Sequence, residues 1–185
     1  ITMIPPIHKH MLSAVIAPHG ITDIIHAAQH NTTSELIGLH GLTCASSWFL
    51  SHHNTMILDE VFIVTSIVHF RHDMPDFKEL YIPKFVLSGL LLMLSIHYDP
   101  NILFRYMVLL HVPNHYIINW KFIRKNPRQN IGLVVVFSLL LVFLGESFPW
   151  MFESKLLFDM SKGIIISHVL YNEKHIHRNP AFYIS

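Results

Sequence analysis

IGLVVVFSLLLVFLGESFPW, residues 131–150, is an apolar run with Glu146 as its one ionisable residue. A helix needs about 20 such residues to cross the hydrocarbon core of a bilayer. Working outward, six further segments share this character: Met11–His30, Glu35–Leu50, Met56–Phe70, Ile82–His97, Ile102–Trp120 and Leu156–Tyr171. Turn-type residues separate several of them, at Asn31-Thr32-Thr33-Ser34, His53-Asn54-Thr55, Asp99-Pro100-Asn101 and Asn126-Pro127-Arg128. Glu35–Leu50 and Met56–Phe70 are short and carry polar residues, so the bundle must shield them or the count falls to six. The expectation is an all-α, polytopic transmembrane helix bundle of 6–7 spans, forming a single domain over residues 1–185.

Composition agrees with this reading. The chain is 51% hydrophobic and 14% charged, against roughly 25% charged in a soluble domain. A formal net charge of +1 offers nothing to an acidic or basic partner and excludes a nucleic-acid role. Cys44 is the single cysteine, so no internal disulfide is possible, and its apolar neighbourhood suits a small buried hydrophobe. The chain begins at Ile1, and Met11–Ala17 after Lys9 resembles a weak signal peptide. No small-residue cleavage site follows, and the segment reads as the start of the first span.

Basic residues set the expected topology. Arg71, Lys78 and Lys84 follow one span, Lys121, Arg124, Lys125 and Arg128 follow another, and Lys174 and Arg178 lie in the tail. With one span between turns, all fall on one side, while the opposing loops around His52, Asp99 and Glu153 hold only Lys155. This is the positive-inside pattern, and it places the C-terminus on the cytoplasmic side of an integral, multi-pass membrane protein.

Histidine is the compositional anomaly, with 16 copies against 13 Lys and Arg together. An imidazole in an apolar span is costly without a partner. Four stand out: His19 in Pro18-His19-Gly20-Ile21-Thr22-Asp23, His69 at the end of Ile67-Val68-His69-Phe70, and the H-x-x-x-H pair His111 and His115. Positions i and i+4 share a helix face, so His111 and His115 can grip one ion. Pro113 between them is expected to kink the helix and open a gap there for a ligand or water. A lone membrane histidine is more often a hydrogen-bonded helix contact, but the pair together with His19 and His69 favours a metal. Neutral nitrogen donors suit iron, zinc or copper, and a lipid-embedded site favours oxygen chemistry, hence iron. Asp23, one turn beyond His19, is placed to hold that ring's other N–H. His168, His175 and His177 read as interfacial, and Asp59 and Glu60 as solvated at the outer surface.

These residues resemble the Brp/Blh family of membrane β-carotene 15,15'-dioxygenases. Pro18-His19-Gly20-x-x-Asp23 is similar to the family's P-H-G-x-x-D, His69-Phe70 to its H-F-G segment, and His111-x-x-x-His115 to the pair in a later span. Arg71 stands where that segment carries glycine, and the stretch from His69 to His111 is shorter than the family's. The resemblance implies His19, His69, His111 and His115 as ligands of one Fe(II). It also implies O2-dependent cleavage of β-carotene or a related carotenoid to retinal, with the apolar substrate drawn from the lipid bilayer. Two other readings fit the residues. A di-iron lipid hydroxylase or desaturase would add His26, His30 and His72, although no H-x-x-H-H box is present. A non-catalytic membrane subunit would be docked to a rhodopsin or another membrane complex.

Overall fold

The computed structural model describes residues 20–74, 83–148 and 154–177, which are helical with no strand among them. In chain order the elements are α1 (Ile21–His30), α2 (Thr33–His53) and α3 (Thr55–Phe70), with a 3-10 turn at Arg71–Asp73. Then follow α4 (Lys84–His97), α5 over 100–123, α6 (Pro127–Ser147) and α7 (Lys155–Asn172), which runs on into a π-turn at Glu173–His177. The expected breaks are where the helices end. Asn31 takes the left-handed conformation (φ 58°, ψ 32°), which asparagine tolerates better than most residues, and it separates α1 from α2. Asn54 Oδ1 accepts from Ile57 N at 3.3 Å and opens α3. Of the expected first span, Met11–His30, the part before residue 20 lies outside the described residues.

Inside α5 the regular helix Pro100–Tyr106 widens into a π-turn, Met107–His111, before resuming as Val112–Ile123. Pro113 explains this turn. It has no N–H to give Leu109, and its ring crowds that carbonyl. The turn opens, and the Val112 N–H reaches back five residues to Met107 O. The disturbance expected from Pro113 therefore takes the form of one wide turn, with His111 as its last residue.

The helices alternate in direction. Glu173, at the end of α7, receives Arg71 Nη2 at 2.9 Å, and Lys174 Nζ reaches Glu35 Oε1 at the start of α2 at 2.6 Å. Gln29 Nε2 donates to Phe122 O at 2.9 Å, joining the ends of α1 and α5. Asn130 Nδ2 donates to Phe122 O and Ile123 O, pinning the start of α6 to the same end. Arg71, Lys121, Arg124, Lys125, Arg128 and Lys174 are thus gathered at one end of the bundle. Near the other end, buried Lys162 on α7 bonds to Asp159 at 2.8 Å and pairs with Asp59 of α3. Asp59 is exposed, as the sequence suggested, and is in addition one arm of an ion-pair cluster. The reason is tertiary: α7 brings a cation to it.

The interior is polar and the outside is apolar. Among the described residues, buried polar side chains outnumber buried apolar ones, 17 to 15. Meanwhile Ile37, Leu42, Val64, Leu109, Ile117 and Phe143 are largely exposed. α6 has only Asn130 buried, and it is the one described helix long and apolar enough by itself to cross a membrane. Large apolar side chains on α2, α3, α5 and α6 are thus left exposed and available to an interaction surface.

α7 makes its most extensive packing with α2. Gly163 is the reason it can lie so close: a Cβ there would sit 2.7 Å from Thr43 O and 2.8 Å from Ser47 Oγ. Small residues at a crossing let two backbones approach, as in helix pairs within lipid.

Candidate metal centre

Four buried histidines converge between α3, α5 and α7. His69 is the penultimate residue of α3, His111 ends the π-turn, His115 follows one turn later, and His168 lies in the last part of α7. One nitrogen from each of His69, His115 and His168 lies within 4.8 Å of the others. The ring of His168 is 5.1 Å from those of both His69 and His115, centroid to centroid. His111 stands beside the trio, its ring 4.8 Å from that of His69 and 6.0 Å from that of His115. Imidazoles sharing one ion at a metal–nitrogen distance of about 2.1 Å hold their centroids about 5 to 6 Å apart. The trio comes close to that spacing, at 5.1, 5.1 and 6.2 Å, while His111 lies beside it, outside the group whose nitrogens all fall within 4.8 Å of one another.

The outward nitrogens are held by specific groups. His168 Nδ1 lies 2.6 Å from Asp23 Oδ2. A carboxylate only accepts, so His168 donates there and presents Nε2 inward. Asp23 is itself buried and also accepts from Asn172 Nδ2 at 3.1 Å. His115 Nδ1 lies 3.3 Å from Thr22 Oγ1 and 3.1 Å from Asn119 Nδ2. His111 Nδ1 donates to Asp73 Oδ2 at 2.6 Å. Asp73 lies beyond the end of α3. Burial pushes its carboxyl upward, but the hydrogen bond and electrostatic attraction of His111, with hydrogen bonds from Tyr106 and Asn114, outweigh that and hold it below the ordinary aspartate value.

A spacing recurs in this shell. His115-x-x-x-Asn119 on α5 and His168-x-x-x-Asn172 on α7 each place a buried asparagine one turn after a cluster histidine. In both, Asn Nδ2 donates to the histidine's own backbone carbonyl, at 2.9 and 2.8 Å. The amide is therefore fixed against the imidazole. Asn172→Ala is expected to weaken Co(II) binding by about tenfold, the lower end of what outer partners of a ligating histidine contribute, as read by titration of the detergent-solubilised protein.

Of the residues singled out in the sequence, His69, His111 and His115 come together. His19 lies outside the described residues. Asp23, assigned from the sequence to His19, here grips His168. His168, read as interfacial, is a member of the cluster. The H-x-x-x-N spacing it shares with His115 does not single it out in the sequence, since His97 and His175 carry the same spacing; the helix packing does. The histidines proposed for a second iron go elsewhere. His26 Nδ1 lies 2.9 Å from Tyr171 Oη, and its ring stacks on His30 at 4.2 Å. His72 Nε2 pairs with Glu173 at 2.6 Å. Among the described residues, no second group of three metal-type side chains forms.

The donor set is thus all imidazole, buried, and backed by two carboxylates. This pattern suits a divalent transition metal held by neutral nitrogens, with tautomers fixed from outside. No family model, curated protein or solved structure matches the chain.

Proposed function

We propose that the chain is a multi-pass membrane protein that holds one Fe(II) among its buried histidines and uses O2 to cleave β-carotene or a related carotenoid to retinal. The observation that carries this reading is a buried imidazole cluster inside a bundle whose outer surface is apolar. Lipid is the medium that accepts such a surface, and an ionisable cluster inside it marks function. α2 and α6, at 21 residues each, are about 31 Å long at 1.5 Å per residue, matching a core of about 30 Å. α3 and α4, at 16 and 14 residues, are shorter, and a bilayer meets short helices by local thinning. The basic end, with the end of α7, faces the cytoplasm in this reading.

His69, His111, His115 and His168 would hold the ion. Iron, when bound, supplies the oxygen chemistry, and the protein's part is binding and orientation. Asp23 and Asp73 keep the Nδ1 protons of His168 and His111 in place, so those rings meet the ion as neutral Nε2 donors. Phe70, with its ring 5.1 Å from that of His111, gives the cluster an apolar wall that suits a polyene and excludes water. The carotenoid itself comes from the resemblance of the P-H-G-x-x-D, H-F and H-x-x-x-H segments. The engagement of His26, His30 and His72 away from the cluster favours one ion over two.

Expression in a β-carotene-producing bacterium tests the reading. Loss of orange colour with appearance of retinal is expected for the native chain and not for His115→Ala, with close to one iron per purified chain. Retained colour despite bound iron would refute cleavage and leave a metal-binding membrane subunit.

A further inference from the structure

Asp73 is a carboxylate with its side chain only 8% exposed. Burying such a charge costs several kcal/mol unless it is paired and hydrogen-bonded. Its partners all come from α5: Tyr106 Oη donates to Oδ2 at 2.7 Å, His111 Nδ1 to the same oxygen at 2.6 Å, and Asn114 Nδ2 to Oδ1. In a regular α-helix of 3.6 residues per turn, positions five apart point about 140° away from each other. The π-turn, with its i to i+5 closure, brings Tyr106 and His111 back toward one face, and their rings lie 6.2 Å apart and nearly parallel. The 3-10 turn that presents Asp73 is held in turn by Glu173, which takes both Arg71 and His72. Two local distortions, the π-turn of α5 and the 3-10 turn after α3, therefore meet at this one carboxylate.

We infer that Asp73 is the positioning residue that makes His111 the fourth imidazole of the metal site. It holds Nδ1–H and so fixes the tautomer that leaves Nε2 as the donor nitrogen of a ring 4.8 Å from that of His69. This inference rests on the reading that the cluster binds an ion.

A double-mutant cycle with Co(II) on the detergent-purified chain separates the two. The native protein is expected to bind one Co(II) with an absorption spectrum of nitrogen ligation. Asp73→Ala is expected to lose about tenfold to a hundredfold in affinity and to shift the spectrum toward that of His111→Ala. In the His111→Ala background, Asp73→Ala is expected to change neither quantity further, because its effect passes through that ring. Tyr106→Phe, which removes one donor and leaves His111 in place, is expected to give a smaller loss with the native spectrum. An Asp73→Ala variant that binds Co(II) like the native chain, or that weakens binding equally in both backgrounds, overturns the inference and leaves the metal site standing. A native chain that binds no Co(II) overturns both.

Discussion

Replacing His115 with alanine is expected to reduce retained metal by more than the tenfold to hundredfold that outer partners of a ligand contribute, as measured by iron or cobalt content after dialysis. His115 belongs to the trio whose nitrogens lie within 4.8 Å of one another, and the loss of one of three converging donors leaves an ion two contacts among them. His168 occupies the equivalent place on α7, but His168→Ala also leaves Asp23 buried without its nearest donor. That loss adds an uncompensated charge to the cost. His168→Gln keeps an N–H donor beside Asp23 and is the cleaner variant; the same loss of metal is expected with less loss of stability. His52→Ala is the control. His52 lies at the far end of α2, exposed, with Nδ1 2.9 Å from the carbonyl of Trp48. If His52→Ala and His115→Ala retained equal metal, the assignment of the ligands would fail.

The second large effect is expected at Gly163. Even an alanine Cβ there would approach the Thr43 carbonyl oxygen to 2.7 Å and its carbon to 2.9 Å. Backbone atoms cannot rotate aside as a side chain can. Gly163→Leu must therefore push α7 off α2 along the most extensive interface of the bundle. Overpacking of this kind costs about 1–3 kcal/mol and occasionally more, and the upper end is expected where backbone is the obstacle. His168 is little more than one turn further along α7, so metal affinity should fall together with stability. Gly132→Leu on α6, where a Cβ meets nothing within 4 Å, should leave the unfolding transition in detergent unchanged. Equal unfolding behaviour of the two variants would show that the α2–α7 contact is looser than described.

Much of the architecture was legible in residue order. The apolar run at 131–150 and its neighbours announce helices, and Asn31, Asn54 and Asn126 mark breaks between them, because these are consequences of local chemistry. The distribution of Arg and Lys foretold which helix ends lie together. The all-helical class is observed, and one helix meets the length and hydropathy of a span; the further spans belong to the proposal above. Pro113 likewise told in advance where α5 would be disturbed, since a missing N–H is a local fact.

What only the tertiary structure decided is which polar groups meet. His168 looked interfacial because its own neighbours, Ile166, Ser167 and Val169, say nothing of Asp23, 145 positions away. Asp73 stands four residues after His69, as Asp23 does after His19, but that spacing does not reveal its three donors on α5, which come to one face only through the π-turn. Residue order alone thus determined where helices form and which carry histidines. The convergence of those histidines on one another, and of two carboxylates on them, depends on helix crossings such as Gly163 against Thr43. These are set by the summed packing of distant segments, and no local stretch of chain encodes them.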